Sequence, residues 1–193
     1  MSTFDKYPEL KEKLKLEGEK SKFKLTYDGK PIRLQTPPLY CPFGLKQFPG
    51  KFDKVTCTLD LSLRGYDEED KKTYQFLQWY RELEYVLFEG SLNNPDRFNS
   101  SIKIPNPQYP PLLRIKTPVD DGKIDAMIWK ENEEVNEVIY GKIDGAFRGN
   151  TTIGIINPAP YILPNGMWGI SWKLEQLRIF EPKRMRGCLF LED

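Results

Sequence analysis

Met167-Trp168-Gly169-Ile170-Ser171-Trp172-Lys173-Leu174-Glu175-Gln176-Leu177-Arg178-Ile179 alternates apolar and polar residues with a period of two. In a strand this puts Trp168, Ile170, Trp172 and Leu174 on one face and Gly169, Ser171, Lys173 and Glu175 on the other. Leu177 and Ile179 fall on the opposite parity. The strand therefore either bulges near Glu175-Gln176 or is buried on both faces there. A bent, twisted strand of this kind suits a small barrel.

Working outward, Pro164-Asn165-Gly166 turns the chain into this strand from short strands at 151–156 and 161–163. Segments 124–129 and 138–143 form a hairpin around the acidic turn Glu131-Asn132-Glu133-Glu134. A strand runs over 112–116. It follows a long loop, 94–111, that holds prolines 95, 105, 107, 110 and 111. Asp67-Glu68-Glu69-Asp70 places acids at the positive end of a helix over 68–88, whose stripe Phe76, Tyr80, Leu83 and Leu87 faces inward and which Gly90 ends. The alternation of Val55, Cys57, Leu59, Leu61 and Leu63 with polar residues makes 55–63 a half-buried strand. The prolines of 36–45 predict an extended loop or edge. Asp28-Gly29 between alternating runs predicts a hairpin over 23–35.

Residues 9–20 have few apolar positions and read as a frayed helix or mobile arm. The chain thus divides into a mobile charged arm (1–22), a single domain (23–181) and a flexible tail (182–193). Strands outnumber helices, and one good helix interrupts them. The expected fold is mainly β, an OB-fold-like, partly open barrel with one helix between strands and extra hairpins and long loops; a β-sandwich is the alternative.

Composition narrows the chemistry. The chain has no histidine, which removes the usual general base, triad partner and commonest zinc ligand. Cys41, Cys57 and Cys188 are odd in number and far apart, so they fit neither a disulfide framework nor paired zinc ligands. No cofactor or metal is expected. No apolar run approaches the roughly 20 residues of a membrane span, and the lysine-rich N-terminus lacks a signal-peptide core, so the protein is expected inside the cell and off the membrane. The net charge of +1 excludes a histone-like basic surface, although cations concentrate near both ends of the chain and acids in the middle.

Nonspecific binding of a single strand needs flat π-faces for bases and cations for phosphates. Tyr27, Lys30, Arg33 and Tyr40 lie around the first hairpin, and Phe43, Lys46, Phe48, Lys51 and Phe52 follow in the proline-rich loop. Lys103, Arg114 and Lys116 flank the middle strand, and Lys173 and Arg178 lie in the last one. Aromatics make up 13% of the residues, so most must be core. Trp172 is expected inside, which turns Lys173 toward solvent or ligand. Phe43, Phe48 and Phe52 cannot all find core in their loop, which leaves at least one as a candidate for base contact. Two other classes stay open. Asp60, Asp120, Asp121, Asp125, Asp144 and the acids of 131–137 could gather into a two-metal nuclease site. The aromatic loops could instead be the interface of a viral structural or scaffolding protein.

The run Trp168-Gly169-Ile170-Ser171-Trp172-Lys173-Leu174-Glu175-Gln176-Leu177-Arg178-Ile179 resembles the C-terminal strand motif of single-stranded DNA-binding proteins of nucleocytoplasmic large DNA viruses, with its Gly, Trp-Lys pair and following Gln. It is more remotely similar to the phage T7 type. The resemblance implies a non-catalytic OB-fold protein that coats exposed strands in viral DNA replication, recombination or repair. It places the protein at the viral replication site in cytoplasm or nucleus, with packaging in the virion a further option. Single-stranded DNA is the implied ligand, with RNA left open, and a homo-oligomer is left open too. The phage relatives end in a long acidic tail that recruits partners. This chain ends in Phe190-Leu191-Glu192-Asp193, a minimal counterpart through which replication proteins would be contacted.

Overall fold

A computed structural model of the chain describes residues 2–19, 22–49, 55–89, 95–120, 123–130, 133–134 and 145–182. Its frame consists of strands β1 (Leu39–Tyr40), β2 (Leu45–Pro49) and β3 (Val55–Ser62), helix α1 (Lys72–Glu89), and strands β4 (Leu112–Thr117), β5 (Thr151–Ile162) and β6 (Trp168–Phe180). Strands β1, β3, β4, β6 and β5 pair in that order, and β5 returns to β1 to close a five-stranded, OB-fold-like barrel. Tyr40 is the closing point, because it pairs with Ser62 on one side and Thr151 on the other. The β4–β6 pairing is parallel, and the other four are antiparallel.

The expected irregularity in the tryptophan strand is a bulge. Ile155 pairs with Gln176 and Ile156 with Leu174, so Glu175 is the extra residue. One inserted residue inverts the parity, which lets Leu174 and Leu177 both face inward; they are 2% and 0% exposed. Cys57, Leu59, Leu61, Leu113, Ile115, Ile156 and Trp172 complete the barrel interior. Helix α1 begins at Lys72, four residues later than the acids suggest, and buries Phe76, Tyr80, Leu83 and Leu87 as its stripe predicts. Trp172 is fully buried, and its Nε1 donates to Tyr80 Oη at 2.7 Å. Burial raises the Tyr80 pKa well above its ordinary value, so this hydroxyl stays protonated.

Several expectations need correction. Residues 9–20 are not a solvated arm as far as they are described. Leu10–Lys13 is a single helical turn, and Leu14–Glu19 pairs antiparallel with Lys22–Tyr27. Few apolar residues suffice there, because Tyr7, Leu10 and Leu14 all enter the core and Trp79 Nε1 donates to the Tyr7 carbonyl. The predicted hairpin turn is present, with positive φ at Asp28 (50°) and Gly29 (70°) as a two-residue turn requires. Its second strand is only Lys30–Pro31, however, and Leu34–Gln35 pairs with β5 instead.

The segment 36–45 is not all loop, since it holds β1 and opens β2. The 94–111 loop contributes Phe98–Asn99 alongside β6 and Ile102–Lys103 alongside β4. The 151–156 and 161–163 pieces merge into β5 despite Pro158 and Pro160. Beyond Ile156 that strand pairs only with β6 among the described residues, so the missing proline N–H groups break no second ladder. The 124–129 strand is split into Lys123–Ile124 and Met127–Lys130. The expected strand at 138–143, Gly90, Cys188 and the tail beyond 182 lie outside the described residues.

Candidate nucleic-acid interface

Pairing partners in a sheet share a face, so the registers define what the outside of the barrel presents. Lys46 pairs with Thr58, Thr58 with Lys116, Lys116 with Lys173, and Lys173 with Asn157. Their inward neighbours are the row Leu45, Leu59, Ile115 and Trp172. The outer row therefore winds around the barrel wall, about 5 Å per strand. Lys116 and Lys173 are exposed and have no acidic partner among the described residues. Two like charges directly opposed weaken a sheet, so this pair is a local electrostatic conflict that an anion would relieve.

Exposed aromatics accompany the first end of the row: Tyr40 and Phe43 are each 45% exposed and Phe48 44%. Lys46 Nζ lies 4.2 Å from the Phe43 ring centroid and 3.7 Å from Asp60. Asp60 is 1% exposed, and Arg114 clamps both its oxygens at 2.8 and 2.9 Å. The hydrogen bonds to this carboxylate raise the Arg114 pKa further. Arg114 thus neutralises a buried acid, and its fork is engaged by that carboxylate. Lys103 Nζ donates to Asn99 Oδ1 at 2.6 Å and to the Ser100 carbonyl. Burial, and next the nearby Arg114, lower its pKa.

The remaining candidates are spread more widely. Arg33 is exposed and pairs with Glu175, which also accepts from Asn157 Nδ2 at 2.8 Å, so Arg33 borders the Lys173 end of the row. Tyr27 packs edge-on against Tyr7 and donates to the Pro8 carbonyl. Lys30 is exposed at the hairpin turn. Arg178 lies beyond the bulge, 5.3 Å from the Phe180 ring centroid and away from the lysine row. Lys51 and Phe52 lie outside the described residues. The structure gathers Lys46, Lys116 and Lys173, with Tyr40, Phe43 and Phe48 at one end of the row and Arg33 near the other.

Tyr161 was not among the sequence candidates. It is half-buried on the outer face of β5, paired with Gly169, with its ring centroid 5.8 Å from Lys116 Nζ. A merged β5 is what gives it this parity, and the prolines around it hid that strand.

No protein-family model and no curated protein matches the chain. Similar folds occur among solved structures. One is gp2.5, a single-stranded DNA-binding protein encoded by bacteriophage T7, with a TM-score of 0.56 and 9% identity over 83% of this chain and 98% of that one. Another is the single-stranded DNA-binding protein of bacteriophage Enc34 in complex with single-stranded DNA, with a TM-score of 0.52 and 14% identity over 91% of this chain and 99% of that one. At such identities the likeness is one of fold, and it supports the OB-like barrel.

Among the described residues no three metal-binding side chains gather, and Asp60, one of the acids considered for a two-metal site, is held by Arg114. No described helix is long and apolar enough to cross a membrane.

Proposed function

We propose that this chain binds single-stranded DNA without sequence preference and without catalysis, with phosphates along Lys46, Lys116 and Lys173 and bases against neighbouring aromatic rings. The observation that carries this reading is the exposed Lys116–Lys173 register pair, which has no acidic partner among the described residues, a conflict that a phosphate resolves. The fold shared with two phage proteins described as single-stranded DNA-binding supports it. So does the Trp-Lys strand motif that resembles the large-DNA-virus proteins. In the finer form of the proposal, the protein coats exposed strands during viral DNA replication, recombination or repair, and replication proteins dock on its C-terminal residues.

The test is fluorescence anisotropy of a labelled oligothymidylate at low and high salt, with an RNA competitor of equal length. An oligonucleotide label is the better probe, because Trp168 and Trp172 are buried and give bases little to quench. Tight binding that weakens steeply with salt supports the reading. Absence of binding at low salt would sink it and leave Tyr40, Phe43 and Phe48 to a scaffolding interface. Mg²⁺-dependent shortening of the oligonucleotide would instead restore a nuclease.

A further inference from the structure

The single-stranded DNA reading assigns phosphates to lysines but leaves open where a base next to Lys116 and Lys173 would go. The exposed phenylalanines lie at the other end of the row, beside Lys46. Beside Lys116 the available ring is Tyr161.

Three features fix that ring. Tyr161 pairs with Gly169 across the β5–β6 ladder, and Gly169 pairs on its other side with Asn99. A side chain at Gly169 would collide with the Asn99 carbonyl oxygen and approach Tyr161 Oη to 3.3 Å. Only a glycine there allows Asn99 to close on β6 while the tyrosine hydroxyl lies over the same spot. Asn99 Nδ2 then donates to Tyr161 Oη at 2.8 Å, and Asn99 Oδ1 accepts from Lys103 at 2.6 Å. The amide is held at both ends, so it orients the phenol. Gly169, part of the sequence motif, and Lys103 thereby find a shared role in placing Tyr161.

Resting on the single-stranded DNA reading, we propose that Tyr161 is the base-stacking platform of the Lys116–Lys173 segment, with Gly169, Asn99 and Lys103 as its positioning residues. The ammonium of Lys116 lies over the ring at 5.8 Å, so a phosphate drawn to Lys116 and Lys173 brings its own nucleotide's base to the tyrosine. Every base has a π-face, so this contact carries no sequence preference.

The test compares wild type, Tyr161→Phe, Tyr161→Leu and Tyr161→Ala on two labelled ligands of equal length, an oligothymidylate and an abasic deoxyribose-phosphate oligomer. Loss of one stacked base should weaken oligothymidylate binding by Tyr161→Ala and Tyr161→Leu about tenfold. Abasic binding and the salt slope should not change. Tyr161→Phe keeps the flat ring but loses the Asn99 hydrogen bond that orients it, so its oligothymidylate affinity should fall between those of wild type and Tyr161→Leu; affinity equal to wild type would strike Asn99 and Lys103 as positioning residues. Tyr161→Leu keeps apolar bulk without a flat face, so it reports on stacking even if the alanine variant melts. The proposal is overturned if Tyr161→Leu binds oligothymidylate like wild type, or if it loses both ligands equally. If wild type binds neither ligand, the broader reading has failed, which is a different result from a variant that fails selectively.

Discussion

Replacing Lys173 with alanine separates a phosphate contact from a structural lysine. On a single strand each neutralised phosphate adds a slope of about −0.7 to log K against log salt. Between 1 M and 0.1 M salt that amounts to about a factor of 5, or ~1 kcal/mol at 25 °C. If Lys46, Lys116 and Lys173 all contact phosphates, the wild-type slope is about −2, and Lys173→Ala reduces it to about −1.4 while weakening binding at 0.1 M roughly fivefold. Stability should move the other way. Lys173 is exposed and pairs with Lys116, so its removal relieves a like-charge contact worth about 0.2–1 kcal/mol. For a chain of this size the melting temperature should hold or rise by no more than about 4 °C. Anisotropy titrations at four salt concentrations and a thermal melt give both numbers. An unchanged slope with weaker binding would mean that Lys173 does not meet a phosphate. A large drop in melting temperature would mean that it is structural, and either outcome refutes the assignment.

Arg114→Ala should be strongly destabilising, by about 3 kcal/mol in urea unfolding, because it strips the bidentate partner from a buried Asp60 and, among the described residues, leaves it Lys46 at 3.7 Å. Its DNA salt slope should change little, because the Arg114 fork is already engaged by Asp60. Trp172→Phe removes the donor to Tyr80 and part of the ring volume, and should lower stability by about 2 kcal/mol without a specific effect on the salt slope. Burial raises the Glu84 pKa, so its charged form is disfavoured in the fold. The stabilisation is present below the ordinary glutamate range and is lost as pH rises through the raised value. Glu84→Gln should therefore be more stable than wild type at neutral pH and equal to it in acid, as denaturation at both pH values will show.

The period-two and helical patterns carried the barrel wall and its plug into view from the sequence, because both rest on local alternation that tertiary packing then uses. The parity break at Leu177 and Ile179 located the bulge to within one residue. The N-terminal segment misled, because Tyr7 and two of its leucines, Leu10 and Leu14, are enough once α1 and the first hairpin offer them a place in the core, which no local count registers. Prolines 158 and 160 hid the continuity of β5, since whether a strand tolerates proline depends on which of its edges is paired. At the candidate site, Lys116 and Lys173 were named from residue type alone. Their opposition is a property of a parallel pairing between segments more than fifty residues apart, so it was not legible. Arg114 and Lys103 illustrate the converse: each is a cation by sequence, and each is occupied by neighbours that only the fold supplies, Asp60 and Asn99.

The strand 168–180 performs two tasks, and its geometry explains why they do not interfere. On the inner parity Trp172 locks the barrel to α1 through Tyr80, in a close-packed interior where small changes are strongly felt. On the outer parity the next residue, Lys173, meets solvent and Lys116. A strand decouples adjacent positions because their side chains leave on opposite faces, so outer-face charge can change while the inner face keeps the fold. The bulge at Glu175 matters to both faces. It resets the inward parity so that Leu177 and Ile179 continue the core, and it turns the strand where Glu175 takes Arg33 and Asn157 as partners. Were Glu175 paired in a regular ladder instead of bulged, Leu177 and Ile179 would face outward and Arg178 inward, burying a charge and breaking the core together. Deleting Glu175 leaves Leu174 and Gln176 as successive ladder residues opposite Ile156 and Ile155, so the deletion variant should fold with its core parity intact, and both it and Glu175→Gln should release Arg33. If circular dichroism shows the deletion variant unfolded while Glu175→Gln is folded, Glu175 is more than an extra residue between two registered halves, and the parity argument fails.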